Sequence, residues 1–222
     1  MKTINDPGNW LRRFSAVIFD FDGVIVDSEV LQARAWEQLA RELGHDDLRV
    51  SAAQIAGRLD SQIARDLFGA EVDVAFCLQR KVVLQEALEA RGELRFIPGV
   101  LELLPALHRT HTLAICSNSY EDRVEAFLKQ HNLRRWFRVV VGYRDGLAPK
   151  PSPQPYVRTL QRLGMAADGA CAIEDSPPGI EAAKQAGLFA IQLVRAGIEP
   201  SPLADVHITD YAQLRQDEGV IR

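Results

Sequence analysis

The sequence predicts an α/β protein built on a parallel sheet, and three observations predict it. Short apolar runs at 16–20, 112–118, 138–142, 170–174 and 189–194 are separated by stretches with helical periodicity. Polar residues gather where several of these runs end: Asp20 and Asp22, Ser117 and Asn118, Glu174 and Asp175. Between the first run and a helix expected near Gly99–Arg109 lies a helical block of about 70 residues, too long for a simple crossover, so a second, smaller domain is inserted there.

The first run, Val17-Ile18-Phe19, stops abruptly in two aspartates one residue apart. Side chains alternate along an extended segment, so Asp20 and Asp22 can project together from the strand end into one crevice. Gly23 follows, and its backbone freedom permits a sharp turn and a close approach of ligand to peptide groups. The inserted block divides into helical stretches Val30–Leu43, Ser51–Phe68 and Asp73–Ala90. Within it, Trp36, Leu39 and Leu43 recur at helical spacing and read as an apolar core, whereas Arg80-Lys81 reads as a solvated helix face.

The second run, Thr112–Cys116, leads into Ser117-Asn118-Ser119, a sequence that by itself suits a turn or a helix cap. Lys150-Pro151 falls in a proline-rich loop after the third run. Ala170–Ile173 leads into Glu174-Asp175 and then Ser176-Pro177-Pro178, a combination that alone suits a first helical turn. Taken together the four segments say more, because ligands of open parallel sheets bind beyond the carboxyl ends of the strands, where all four converge. Residues 1–13 read as a mobile N-terminal extension, with Trp10, Leu11 and Phe14 able to pack on the core.

Composition narrows the possible classes. With 222 residues, 47% hydrophobic and 25% charged, the chain suffices for one α/β domain plus a smaller insertion. A net charge of -4 argues against a sequence-independent nucleic-acid binder, which carries a basic stripe. Cys77, Cys116 and Cys171 form no Cys-x-x-Cys pair, and the latter two lie in apolar runs, as expected in a reducing cytoplasm. No run approaches the ~18 apolar residues of a membrane span, and Asn5 to Asn9 are unlike a signal peptide, so a cytoplasmic protein without a membrane partner is expected. Neither Gly-x-Gly-x-x-Gly nor a P-loop occurs, and no His/Cys spacing suggests zinc.

The segments DFDGVIVDSE (20–29), CSNS (116–119), Lys150-Pro151 and IEDSPPG (173–179) resemble, in this order, the motifs of the haloacid dehalogenase (HAD) superfamily phosphatases. The resemblance is to the subgroup related to β-phosphoglucomutase and phosphoglycolate phosphatase, and it covers roughly Ala16 to Asp210. It implies a Rossmann-like parallel-sheet core at 14–27 and 97–222 with strand order 5-4-1-2-3, and a helical cap at 28–96. It also implies roles: Asp20 as nucleophile, Asp22 as acid and base, Lys150 as the cation beside nucleophile and phosphate, and Ser117 and Asn118 as donors to phosphoryl oxygens. Mg²⁺ would be held by Asp20, the Asp22 carbonyl, Asp175, and Glu174 directly or through water. Gly57-Arg58-Leu59-Asp60 matches the family's cap specificity loop, which makes Gly57 and Arg58 the candidate substrate contacts.

The chemistry of these residue types agrees with the resemblance. Phosphoryl transfer needs an in-line nucleophile, a positive environment for the phosphoryl oxygens and a proton donor for the leaving group. A cluster of acids around a dianionic phosphate would repel its substrate without an intervening cation, and oxygen donors suit Mg²⁺. The expected partner is a small phosphorylated metabolite, a sugar phosphate or phosphorylated sugar acid, bound by a monomer or weak homodimer. Mutases of the family carry a histidine ten positions after the second aspartate; here Gln32 stands there, which favours a phosphatase over a β-phosphoglucomutase. A non-catalytic phosphometabolite-binding member would be expected to lack Asp20 or Asp22, and both are present.

Overall fold

In the computed structural model, residues 11–55, 60–144, 146–195 and 197–214 are described, and the chain divides into two units. The first runs to Ile25 and resumes at Ile97; the second is built on Val26–Phe96. In chain order the elements are β1 (Ala16–Phe19), β2 (Val26–Asp27), α1 (Ser28–Glu42), α2 (Ala52–Ile55), α3 (Asp60–Phe68), α4 (Val74–Ala90) and β3 (Arg95–Phe96). There follow α5 (Val100–His108), β4 (Thr112–Tyr120), α6 (Glu121–Gln130), β5 (Phe137–Tyr143), α7 (Gln154–Leu163), β6 (Ala170–Glu174), α8 (Pro177–Gln185), β7 (Phe189–Leu193) and β8 (Val206–Ile208).

Six strands of the first unit form one sheet in the order β5-β4-β1-β6-β7-β8, with every pairing parallel. The five strands expected from sequence take the expected order, and β8 extends the edge beyond them. Its three residues, Val206-His207-Ile208, are too short an apolar signal to read as a strand. At the centre, β1 is buried throughout, which explains an apolar run rather than an alternating one. Alanines at 16, 114, 170 and 172 keep the faces of the central strands low, and α7 lays Tyr156, Leu160 and Leu163 against them. Each such aliphatic side chain removed from water is worth roughly 1.5–3 kcal/mol.

Register positions the site. Phe19 lies opposite Ile115 on one side and Ile173 on the other, so the next residue, Asp20, comes level with the polar ends of both neighbouring strands. The backbone N–H of Asp20 still donates to the Ile173 carbonyl at 2.9 Å, which fixes its carboxylate to the end of the sheet.

The second unit is helical apart from the two-residue antiparallel ribbon of β2 and β3, in which Val26 faces Phe96 and Asp27 faces Arg95. Its centre is Trp36, fully buried and 6.2 Å from the Phe68 ring. The stretch 51–68, expected as one helical region, contains two helices, α2 and α3. Gly57 and Arg58, the candidate specificity contacts, lie between them and outside the described residues. Lys81 departs from its reading as a solvated residue: it is buried, and its Nζ donates to Asp60 Oδ2 at 3.1 Å and Gln32 Oε1 at 3.2 Å. Its neighbour Arg80 is the outward one, pairing with Glu42 at 2.7 Å.

Near the start of the chain, Leu11 is also more than part of a mobile extension. It opens a short 3-10 turn, is fully buried, and its carbonyl bonds with His111 Nε2 at 3.0 Å. All three cysteines are free and buried; burial pushes the Cys116 thiol up to about 12 and raises Cys77 and Cys171 as well. Such thiols behave as small hydrophobes. Among the described residues, no helix is long and apolar enough to cross a membrane.

Candidate active site

Beyond the carboxyl ends of β1, β4 and β6, the first unit gathers Asp20, Lys150, Glu174 and Asp175, all buried. Lys150, delivered by the loop between β5 and α7, is the hub. Its Nζ donates to Asp20 Oδ1 at 2.7 Å, to Glu174 Oε1 at 2.5 Å and to the Cys116 carbonyl at 2.7 Å. Three acceptors match the three donors of an ammonium, so the group is satisfied without water. Burial alone would push this ammonium down, but the facing Asp20 and Glu174 carboxylates hold it above its ordinary range.

The loop that carries Lys150 is pinned by Asn118. Its carboxamide accepts from the Lys150 N–H at 2.9 Å and donates to the Lys150 carbonyl at 3.2 Å. The Asn118 side chain thus holds the lysine loop. Ser117 is buried beside it, and its Oγ accepts from the Ser119 N–H at 3.0 Å.

Glu174 is the most enclosed member, with no exposed surface. Besides Lys150, its Oε1 accepts from the Tyr156 hydroxyl at 2.6 Å, and Ser176 Oγ stands 3.5 Å from Oε2. Space for this carboxylate comes from Gly179 in the first turn of α8, where a Cβ would stand 2.0 Å from Glu174 Oε2. Gly23 does the same for Asp175. It sits at φ 77°, and a Cβ there would lie 1.8 Å from Asp175 Oδ2, so both conformation and contact require glycine.

One carboxylate oxygen each from Asp20, Glu174 and Asp175 lies within 4.8 Å of the other two. Two of them, Asp20 and Glu174, pair with the buried ammonium of Lys150. Burial pushes the Asp20 carboxyl up to about 7 against the pull of Lys150, and the Glu174 and Asp22 carboxylates add to the rise. An all-oxygen cluster of three buried acids fits a hard divalent cation, which would hold Asp20 ionised.

Asp22 occupies different surroundings. Its side chain is 26% exposed and pairs with Arg123 of α6 at 3.2 Å. Ser119 Oγ donates to its Oδ2 at 2.5 Å. Sequence reasoning missed Ser119, Arg123 and Tyr156. Ser119 stood in a run already singled out for Ser117 and Asn118, which was the available signal. Arg123 and Tyr156 lie in amphipathic helices, where an arginine and an aromatic are ordinary residues.

The family model for haloacid dehalogenase-like hydrolases matches residues 17–193. A phosphoglycolate phosphatase of Aquifex aeolicus is 31% identical over 176 residues, covering 77% of this chain and 80% of its own. The fructose-1-phosphate phosphatase YqaB of Escherichia coli is 29% identical over 189 residues, covering 82% and 97%. Among solved structures, CbbY from Rhodobacter sphaeroides in complex with xylulose-(1,5)bisphosphate superposes with a TM-score of 0.72 at 28% identity, covering 90% of this chain and 95% of that one.

Proposed function

The chain belongs to the haloacid dehalogenase-like hydrolases and is a phosphoric monoester hydrolase, and on that premise we propose that it cleaves a small sugar phosphate or phosphorylated sugar acid with Mg²⁺, through a phosphoryl group carried on Asp20. The observation that carries this reading is the convergence of Asp20, Lys150, Glu174 and Asp175 beyond the ends of three strands. A carboxylate fixed to the sheet end, with an ammonium 2.7 Å away, is a nucleophile whose position is set before substrate arrives.

Asp20, Asp175 and the Asp22 carbonyl would hold Mg²⁺, with Glu174 behind them orienting Lys150. When bound, the cation neutralises the phosphoryl oxygens and keeps Asp20 ionised. Asp20 attacks phosphorus as the ester oxygen leaves, and Asp22 gives that oxygen its proton. Asp22 then takes a proton from the water that hydrolyses the acyl phosphate, regenerating Asp20. The Ser117 hydroxyl donates to the phosphoryl oxygens, Lys150 holds Asp20 and offsets the negative charge beside it, and Asn118 acts through the lysine loop it pins. Gln32, engaged by Lys81, cannot cycle a proton as the mutase histidine does, which supports hydrolysis over transfer to a second hydroxyl.

The test is release of inorganic phosphate from fructose 1-phosphate, 2-phosphoglycolate, phosphogluconate, nucleotides and β-glucose 1-phosphate, with Mg²⁺ and with EDTA. Selective, metal-dependent release is expected. Conversion of β-glucose 1-phosphate to glucose 6-phosphate with little free phosphate would replace the phosphatase reading by the mutase one.

A further inference from the structure

The environment of Asp22 contains more than an acid and its substrate require. Arg123 Nη1 reaches both carboxylate oxygens, at 3.3 Å and 3.2 Å, and Nη2 reaches Oδ1 at 3.3 Å. The same Nη1 donates to Ser119 Oγ at 2.7 Å, and Ser119 Oγ donates to Asp22 Oδ2 at 2.5 Å. A hydroxyl has one proton, and a guanidinium cannot accept a hydrogen bond. The direction of this chain is therefore fixed: arginine to serine to aspartate. The guanidinium also lies 5.6 Å from the centre of the Phe21 ring, the residue between the two aspartates, so Arg123 is seated by that ring as well as by its charge partner.

The two oxygens of Asp22 are not equivalent in this clasp. Oδ2 takes the short bond from Ser119, whereas the contacts of Oδ1 to Arg123 are both 3.3 Å. We infer that Ser119 and Arg123 are positioning residues for Asp22, holding it by Oδ2 so that Oδ1 is the oxygen that exchanges the proton with the leaving group and then with water. This rests on the role proposed above for Asp22. In the first step the bond from phosphorus to the ester oxygen breaks, its electron pair and the Asp22 proton go to that oxygen, and the new bond forms from Asp20. Asp22 is left as a carboxylate facing Arg123, which stabilises the charge as it develops. Free rotation of the Asp22 side chain is removed beforehand, which is the contribution that positioning makes to general acid catalysis.

A leaving group that departs as an anion needs no acid, and this separates positioning of Asp22 from a structural role. kcat/KM is measured with Mg²⁺ on p-nitrophenyl phosphate and on fructose 1-phosphate for the parent protein and for Ser119→Ala, Arg123→Leu, Arg123→Lys and Asp22→Asn. The expected result for Ser119→Ala and Arg123→Leu is a loss of about 10- to 100-fold on the sugar phosphate, with the aryl phosphate changed by less than about threefold. Arg123→Lys should recover part of that loss. Equal losses on both esters, or none on either, while Asp22→Asn keeps the selective loss, would overturn the clasp and leave the role of Asp22 standing. Equal losses in Asp22→Asn itself would remove the acid role and the clasp together. Ser119→Ala deletes one oxygen atom, so it answers the question even if Arg123→Leu does not fold.

Discussion

Asp20 and Asp22 stand one residue apart and in opposite surroundings. Asp20 is buried, anchored through its backbone to β6, and faces a lysine that is itself buried between two carboxylates. Asp22 is a quarter exposed, and its partner Arg123 is exposed to a similar degree, 21%. The alternation of an extended chain brings both to one strand end, while their environments divide the work. A nucleophile gains from fixed position and exclusion of water; an acid that must gain and lose a proton gains from contact with solvent. On the proposed mechanism two chemically identical carboxyl groups thereby take two roles, a pattern general to carboxylate pairs in enzymes.

The largest expected effect comes from removing the enclosed partner. Asp20→Asn should lower turnover by about 10⁴-fold or more, because the amide oxygen is no nucleophile and the second step has nothing to hydrolyse. The fold should persist, since Lys150 keeps Glu174 and the Cys116 carbonyl as acceptors. Thermal unfolding followed by circular dichroism, alongside steady-state turnover, checks both halves. Normal turnover in the variant would remove Asp20 from the chemistry.

Burial should also separate the two sites in stability. Lys150→Met leaves Asp20 and Glu174 facing each other without their shared cation, and breaking a buried pair in this way costs about 3–5 kcal/mol. Arg123→Leu breaks a part-exposed pair and should cost less than about 1 kcal/mol. Urea unfolding of the two variants against the parent gives the contrast directly. Similar costs would mean that the difference in enclosure has no energetic consequence.

What was legible in the sequence follows the same division. Asp20, Lys150, Glu174 and Asp175 could be found because each ends or follows a strand run whose apolar character is set by burial on both faces, and the topology of a parallel sheet carries those ends together. Ser119, Arg123 and Tyr156 act across elements, and nothing local marks an arginine in the first turn of α6 or a tyrosine in α7 as reaching a carboxylate. Lys81 shows the same limit in the second unit. Arg80 and Lys81 are adjacent in sequence, yet the ~100° step between successive helical residues turns one outward to Glu42 and the other inward to Asp60 and Gln32. Periodicity locates the helix; the direction of each long charged side chain depends on partners from other helices.

The smallest expected effect concerns protons and metal at Asp20. Burial raises its carboxyl to about 7 in the folded protein, against 3.8 for the free group, so the metal-free folded protein binds more protons between those values. The contribution of this group to stability is therefore present at low pH and is lost as pH rises from about 4 towards 7. Asp20→Asn should remove that slope, which acid-to-neutral unfolding series would show. Mg²⁺ binds the ionised carboxylate, so the proton must leave first, and affinity should rise with pH through the same range. Between about pH 6 and about pH 8 the ionised fraction of a group near 7 grows roughly tenfold, and calorimetric Mg²⁺ affinity should strengthen by a similar factor with proton release at the lower pH. Asp22 sits partly in solvent beside Arg123 and adds less to the rise of Asp20 than burial or Glu174 does, so Asp22→Asn should shift this dependence slightly downward without removing it. An equal loss in both variants would assign the proton to the pair as a whole and remove the distinction between the buried and the exposed carboxylate.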